Sequence, residues 1–213
     1  NQQLPARTPS LHLHLQHLGN EKKKMKSLTS SDSDPVKQQG FSVCLAIMAF
    51  WFGLTNILFM DETGFYQRQS YHRSWSPVGT PCYAKMDANK GKRLNLIGAM
   101  SMAEFILIAP GTFEGGCKRD TVENWLHTLG QSLPKDELDS YPQRFLIMDN
   151  ARFHRGGDLK QIAEKYNLTL LYLPPYSPEL NPVENKWAVV KQKVKLSIND
   201  FDSLHDCVKY CSV

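Results

Sequence analysis

From Asn56 onward the chain alternates short apolar runs with stretches of helical period. The runs are NILFM (56–60), RLNLIGAM (93–100), FILIA (105–109), RFLIM (144–148) and LTLLYL (168–173). Each is short and almost uninterrupted, which predicts a strand buried on both faces rather than one half-exposed to water. RLNLIGAM and FILIA are separated only by SMAE, close enough to form an antiparallel hairpin. Between the later runs the period changes to that of a helix. Val122, Trp125, Leu126 and Leu129 follow Asp120-Thr121-Val122-Glu123, which resembles a capping box. Leu159, Ile162, Ala163 and Tyr166 share one face after Gly156-Gly157-Asp158, and Val183, Trp187, Val190 and Val194 follow Asn181-Pro182. Three strands, helix, strand, helix, strand, helix predicts an α/β layered domain built on a mixed five-stranded sheet flanked by helices.

The pattern upstream is less regular. Residues 41–60, FSVCLAIMAFWFGLTNILFM, run without a charge for a length that would span a membrane. Gly53, Thr55 and Asn56 interrupt the run and it ends on Asp61-Glu62, so it reads as a buried helix, a turn and a buried strand, with no membrane association. Residues 7–18, RTPSLHLHLQHL, predict a short helix with Leu11, Leu15 and Leu18 on one face. His12, His14 and His17 do not all share a helical face, so no zinc site is read from them. The following NEKKKMKSLTSSDSDPVKQQ is polar and reads as a linker. Its KKKMK suits phosphate contact or a nuclear address, and equally a solvated run of charge. The chain opens on Asn1 with no signal-peptide pattern and reads as a fragment.

Composition narrows the class. With 213 residues, 41% hydrophobic and 22% charged, the chain suits one large globular domain with an appendage. A formal charge of +4 leans towards an anionic partner without requiring one. The charge is concentrated in the long connection 66–93, where Arg68, Arg73, Lys85, Lys90, Lys92 and Arg93 are interleaved with Tyr66, Tyr71, Trp75 and Tyr83. Cations among aromatics suit contact with a nucleic-acid backbone and stacking on bases, though a plain surface loop accounts for them too. Cysteines 44, 82, 117, 207 and 211 are odd in number and contain no C-x-x-C pair, which excludes a disulfide scaffold and favours a reducing compartment. Cys207 and Cys211 read as one helix face.

Candidate chemistry lies in the acids. Asp61 and Asp149 directly follow apolar runs, where ligands gather in open α/β sheets and where a carboxylate is costly unless solvated, paired or bound to a cation. A third acid comes from LPPYSPELNPVENKW (173–187), which holds both Glu179 and Glu184. Asn181 as N-cap, Pro182 as first helical residue and Glu184 three positions on read as a capping box, in which Glu184 need only satisfy a backbone N–H. Glu179 lies between two prolines in a loop, whereas Glu184 is held beside the Val183/Trp187 stripe at a helix N-terminus that favours an ionised carboxylate. Three converging carboxylates make a hard-oxygen site for magnesium or manganese, able to hold two ions for phosphodiester chemistry.

FMDETGF, LIMDNARFH and YLPPYSPELNPVENKW resemble the three signature blocks of the DDE transposases of the mariner superfamily and their bacterial insertion-sequence relatives. Thirty-four residues separate Asp149 from Glu184, the interval typical of one large branch. The resemblance implies a ribonuclease-H-like fold with strand order 3-2-1-4-5. It implies Asp61, Asp149 and Glu184 as catalytic metal ligands for two Mg2+ or Mn2+ ions, and neither Glu62 nor Glu179. Asn150 and His154 match recurring positions of the second block; His154 could contact DNA, steady the site or simply pack. Arg73, Lys85, Lys90, Lys92, Arg93 and Arg152 are the expected DNA-binding cations. The implied activity is metal-dependent cleavage and strand transfer at transposon ends. Its partners are transposon-end and target DNA, active members assemble as homodimers, and the compartment is nuclear in a eukaryote and cytoplasmic otherwise.

The expected division is a remnant of a helix-turn-helix region at 1–20, a basic linker at 21–40 and the catalytic domain at 41–213, with its core at 56–196. Only RTPSLHLHLQHLG resembles the family's DNA-binding region, and the chain stops soon after the third acid's helix. A truncated copy with its triad intact is therefore expected, and a catalytically inactive, transposon-derived DNA-binding protein is the alternative.

Overall fold

A computed structural model describes residues 34–66, 92–137 and 139–212. Its strands are β1 (Ile57–Tyr66), β2 (Arg93–Ser101), β3 (Leu107–Glu114), β4 (Arg144–Met148) and β5 (Leu168–Tyr172). They form one five-stranded sheet in the order β3-β2-β1-β4-β5, the order the resemblance implies. The β1/β2 and β2/β3 pairs are antiparallel, while β1/β4 and β4/β5 are parallel. The helices are α1 (Pro35–Phe52), α2 (Arg119–Ser132), α3 (Leu159–Lys165), α4 (Val183–Ser197) and α5 (Leu204–Cys211).

Side chains alternate between the two faces of a strand, so a sheet covered on both sides needs apolar residues at every position. On one face Ile57, Phe59, Leu96 and Ile147 pack under Val183, Trp187, Val190 and Val194 of α4 and Cys207, Val208 and Cys211 of α5. On the other, Leu58, Met60, Ala99, Leu146 and Met148 pack under Val122, Leu126 and Leu129 of α2 and Leu159 and Ala163 of α3. Cys207 and Cys211 share the buried face of α5, and Cys44, Cys117, Cys207 and Cys211 are all free thiols.

Several boundaries differ from the sequence reading. NILFM does not end its strand at Met60: β1 continues to Tyr66, because β2 stays paired with it from Leu58↔Ser101 to Tyr66↔Arg93. The parallel partner β4 reaches only Ile57, Leu58 and Phe59 of β1. Asp61 is therefore a mid-strand residue lying just beyond the point where β4 stops. β3 begins at Leu107 rather than Phe105 and runs through Pro110, which an edge strand tolerates. The hairpin register shifts between Ile97 and Ala99, and Ala109 has a positive φ of 49°, so the edge is bulged. The capping box at 120–123 does not form. α2 starts at Arg119 with no side-chain cap, and the Glu123 carboxylate instead accepts the Asp158 N–H at 3.0 Å, tying α2 to the start of α3.

α1 begins inside the stretch read as linker. The Asp34 carboxylate caps it by accepting from the N–H groups of Val36 and Lys37 at 3.0 and 3.3 Å. It ends at Gly53, whose φ of 80° suits glycine and breaks the uncharged run 41–60 where a turn was expected. The expected burial of this helix is not found. Phe41, Leu45, Met48 and Ala49 rest on the core, but Phe50 and Trp51 are 81% and 73% exposed and no residue of α1 is fully buried. Apolar residues surround the helix, and only one stripe of a helix can touch a sheet. No helix among the described residues is long and apolar enough to cross a membrane. The expected helix at 7–18, KKKMK, Cys82 and the loop residues Arg68, Tyr71, Arg73, Trp75, Tyr83, Lys85 and Lys90 lie outside the described residues.

The two-sided core makes a direct prediction. Truncating buried Leu126 to Ala should cost about 2–5 kcal/mol in urea unfolding. The same change at exposed Leu196 on α4 should stay within about 0.5 kcal/mol.

Candidate active site

Asp61 points to the α4 side of the sheet, where the Trp187 indole N–H donates to its Oδ2 at 3.1 Å. Trp187 is buried and lies over Gly98, the residue paired with Asp61 on β2; a Cβ on Gly98 would stand 3.5 Å from the indole ring. A Cβ there would thus make only ordinary van der Waals contact with the ring whose N–H reaches Asp61. Glu62, one residue on, points to the opposite face by the period of the strand. There its Oε2 lies 3.6 Å from Nε2 of His154.

Asp149 follows the last residue of β4, and its Oδ1 accepts two hydrogen bonds. One comes from the Ala151 N–H at 3.0 Å, the other from His154 Nδ1 at 2.5 Å. His154 closes a short 3-10 turn, Arg152–His154, and its carbonyl accepts the Tyr172 hydroxyl at 2.8 Å. The side chain of His154 is 0% exposed, so it touches Asp149 and Glu62 and has no surface for DNA.

Glu184 lies in the first turn of α4 and is exposed. The capping box read from the sequence is not made. α4 starts at Val183, whose N–H reaches Asn181 Oδ1 at 3.4 Å, and the Asn181 N–H donates to the Pro178 carbonyl at 3.0 Å. With that N–H already satisfied, the Glu184 carboxylate is left to face the cleft. Glu179 is drawn elsewhere, since its Oε1 and the Ser177 hydroxyl both accept from Gln38 of α1, at 2.8 and 2.9 Å.

Asp61, Asp149 and Glu184 thus line one cleft of about 420 Å3, together with Asn150 and the Pro174–Pro178 loop. Burial pushes the Asp61 carboxyl up to about 7, and the charges of Glu62 and Glu184 add to the shift against the Trp187 hydrogen bond. The His154 hydrogen bond holds Asp149 below the usual carboxylate range in spite of its own burial. Burial opposes charge on His154, but the hydrogen bond to Asp149 and the nearby carboxylates of Glu62 and Asp149 raise it to about 9. Burial also lifts the Cys117 thiol to about 12, and the nearby Glu62, Asp149 and Asp61 contribute. The centre therefore has more negative charge than positive.

This donor set fits hard divalent cations. The acids facing the cleft are all oxygen donors, and among the described residues neither Asp61 nor Glu184 has a basic ion-pair partner. Asn150 Oδ1, from another cleft residue, is buried without a hydrogen-bond partner. The arrangement is open: among the described residues no three His, Cys, Asp or Glu side chains are grouped closely enough to hold one ion together. Of the expected DNA-binding cations, Arg152 is exposed in the turn after Asp149, and Lys92 and Arg93 are exposed at the start of β2. The Arg93 guanidinium fills the space a side chain on Gly64 would take. Arg73, Lys85 and Lys90 are outside the described residues.

Two contributors were not legible beforehand. The resemblance implies no ligand role for Glu62, and in the sequence Trp187 belongs to the packing stripe of its helix. The strand period alone places Glu62 opposite Asp61, but no local signal couples it to a histidine in another block.

Residues 56–205 match the model of the DDE superfamily endonucleases, and the chain belongs to that family. An uncharacterised protein of Sinorhizobium fredii (strain NBRC 101917 / NGR234), y4pE/y4sA, is 36% identical over 95 residues, 45% of this chain and 64% of that protein. The chain thus spans less than two thirds of that relative. Among solved structures, the Mos1 transposase paired-end complex with left transposon end superposes with a TM-score of 0.63 at 16% identity, over 94% of this chain and 69% of that one. The Mos1 strand transfer complex gives 0.64 at 18% identity, over 93% and 59%. The catalytic domain of Mos1 mariner transposase gives 0.56 at 15%, over 88% and 82%. These likenesses establish the fold, a ribonuclease-H-like mixed sheet.

The raised Asp61 carboxyl predicts a pH dependence. Its folded pKa of about 7 lies above the ordinary 3.8, so the stability it contributes is complete below 3.8 and is lost as pH rises through about 7. In metal-free solution at pH 8, Asp61→Asn should therefore be more stable than wild type, on the order of 2–4 kcal/mol. The difference should shrink towards pH 4, as followed by urea unfolding with a chelator present.

Proposed function

We propose that this chain is the catalytic domain of a DDE-type transposase, cleaving DNA strands at transposon ends and joining them to target DNA with two divalent ions. The observation that carries the reading is the meeting of Asp61 from β1, Asp149 from the end of β4 and Glu184 from the start of α4 in one cleft. These three would hold the ions. Magnesium or manganese is the choice suited to an all-oxygen site, and solved Mos1 paired-end complexes with Mn and with Mg support it.

In the first reaction the oxygen of water forms a bond to phosphorus while the P–O3′ bond breaks, leaving a 5′-phosphate and a 3′-hydroxyl. In the second that hydroxyl bonds to a target phosphorus, and the target's own P–O3′ bond breaks. When bound, the two ions supply activation of the attacking oxygen and stabilisation of the leaving one. The protein's part is preorganisation. The Trp187 N–H holds Oδ2 of Asp61, the Ala151 N–H and His154 hold Oδ1 of Asp149, and the helix start presents Glu184. Arg152, Lys92 and Arg93, with Arg73, Lys85 and Lys90 of the long connection, are the proposed phosphate contacts. The same reading takes residues 1–20 as a remnant of an end-binding region, 21–40 as linker, 41–213 as catalytic domain, and a homodimer on paired DNA ends as the working assembly.

The open spacing of the acids favours one second reading, a transposon-derived protein that binds DNA without cleaving it. Metal-independent, salt-sensitive binding with no turnover would support it. On the main reading, Asp149→Asn should cut Mg2+- or Mn2+-dependent cleavage and joining of pre-nicked element-end DNA by about 1000-fold, the equivalent of several kcal/mol of barrier. Glu179→Gln should leave it unchanged. Equal turnover by wild type and Asp149→Asn would sink the assignment.

A further inference from the structure

We infer that Glu62 is a positioning residue for the cation site, acting through the His154 ring to commit Oδ1 of Asp149 to the protein and leave Oδ2 as the coordinating oxygen. The inference rests on the proposed assignment of Asp149 as a cation ligand and goes on to say how that ligand is aimed.

Three observations carry it. First, His154 is buried between two carboxylates from different parts of the chain: Asp149 Oδ1 lies 2.5 Å from Nδ1, and Glu62 Oε2 lies 3.6 Å from Nε2. A histidine present only for packing has no need of an acid at each nitrogen. Second, His154 Nε2 and Glu62 Oε2 are both buried without a hydrogen-bond partner, and the two unpaired atoms face each other at 3.6 Å. Third, strand register pairs Glu62 with Ile97 on β2 and so fixes the backbone that presents its carboxylate to the ring.

An ionised carboxylate only accepts hydrogen bonds, so the close Asp149 contact requires the proton on Nδ1. An imidazole with an acceptor at just one nitrogen can turn over about its Cβ–Cγ bond and lose that contact. A carboxylate facing Nε2 as well removes that freedom and holds the ring's orientation, as outer partners of metal-ligand systems do. Asp149 Oδ1 then has both its donors, Ala151 N–H and His154 Nδ1–H, and Oδ2 is engaged by neither.

The experiment measures Mn2+ binding by calorimetry and by the electron paramagnetic resonance of free Mn2+, with urea unfolding to confirm the fold. Glu62→Leu should weaken Mn2+ binding by about 10–100-fold. Glu62→Gln, which keeps an acceptor for Nε2–H, should bind close to wild type. The double variant Glu62→Leu/His154→Phe should bind no more weakly than His154→Phe alone, because Glu62 acts through the ring. Unchanged Mn2+ affinity in Glu62→Leu, or losses that simply add, would overturn the inference. If Glu62→Leu fails to fold, the 15N spectrum of the wild-type imidazole decides: a protonated Nδ1 is expected, and a bare Nδ1 overturns the proposal. Asp149→Asn separates the two levels. If it binds Mn2+ like wild type, the cation-site reading fails; if it loses binding while Glu62→Leu keeps it, only the positioning inference fails.

Discussion

Trp187 is the largest fully buried side chain among the described residues, and it does two things at once. Its ring lies over Gly98 and seats α4 on the sheet, while its N–H reaches Asp61 on the neighbouring strand. The position of Glu184, three residues earlier on the same helix, follows from that contact. The two acids come from positions far apart in sequence, yet one aromatic ring sets the distance between strand and helix for both. Tryptophan suits the task because it combines a large apolar surface with a single polar atom that must find a partner when buried.

The site is also an unfavourable place for charge, and its neighbours manage that cost in different ways. Asp61 sits mid-strand next to Glu62 and near Glu184, and burial with those charges disfavours its ionised form. Asp149 is more exposed and has a histidine and a backbone N–H, so its ionised form is favoured. The two aspartates are thus pushed in opposite directions although both sit beside the same strand pair. Placing Asp61 and Glu62 on opposite faces of β1 separates a cleft-facing acid from one that backs the histidine. The extension of β1 beyond β4 makes this possible, since only the antiparallel partner β2 continues far enough to hold the strand there.

Much of the fold was legible because burial on both faces leaves its own mark. RFLIM matches β4 residue for residue, and LTLLYL overruns β5 by one. FILIA misplaced its strand because a bulged edge strand can carry Pro110 and Gly111, which a local reading treats as a stop. The expected capping boxes did not form because the N-caps are Lys118 rather than Asp120 and Pro182 rather than Asn181, and because Glu123 and the Asn181 N–H have other partners, which side-chain spelling does not reveal. α1 failed differently, since an all-round apolar helix looks buried until the layer that would cover its outer face is found to be missing among the described residues.

The sequence by itself determined the element order, the apolar faces and the family, because periodicity and three spaced motif blocks are local properties of the chain. Only the tertiary structure decided what each acid faces. Asp61 and Trp187 are 126 positions apart, and Glu62 and His154 meet across the opposite side of the sheet. Such meetings depend on strand order, register and helix seating together. The contacts that aim the carboxylates, unlike the carboxylates themselves, therefore have no signature in any single stretch of residues.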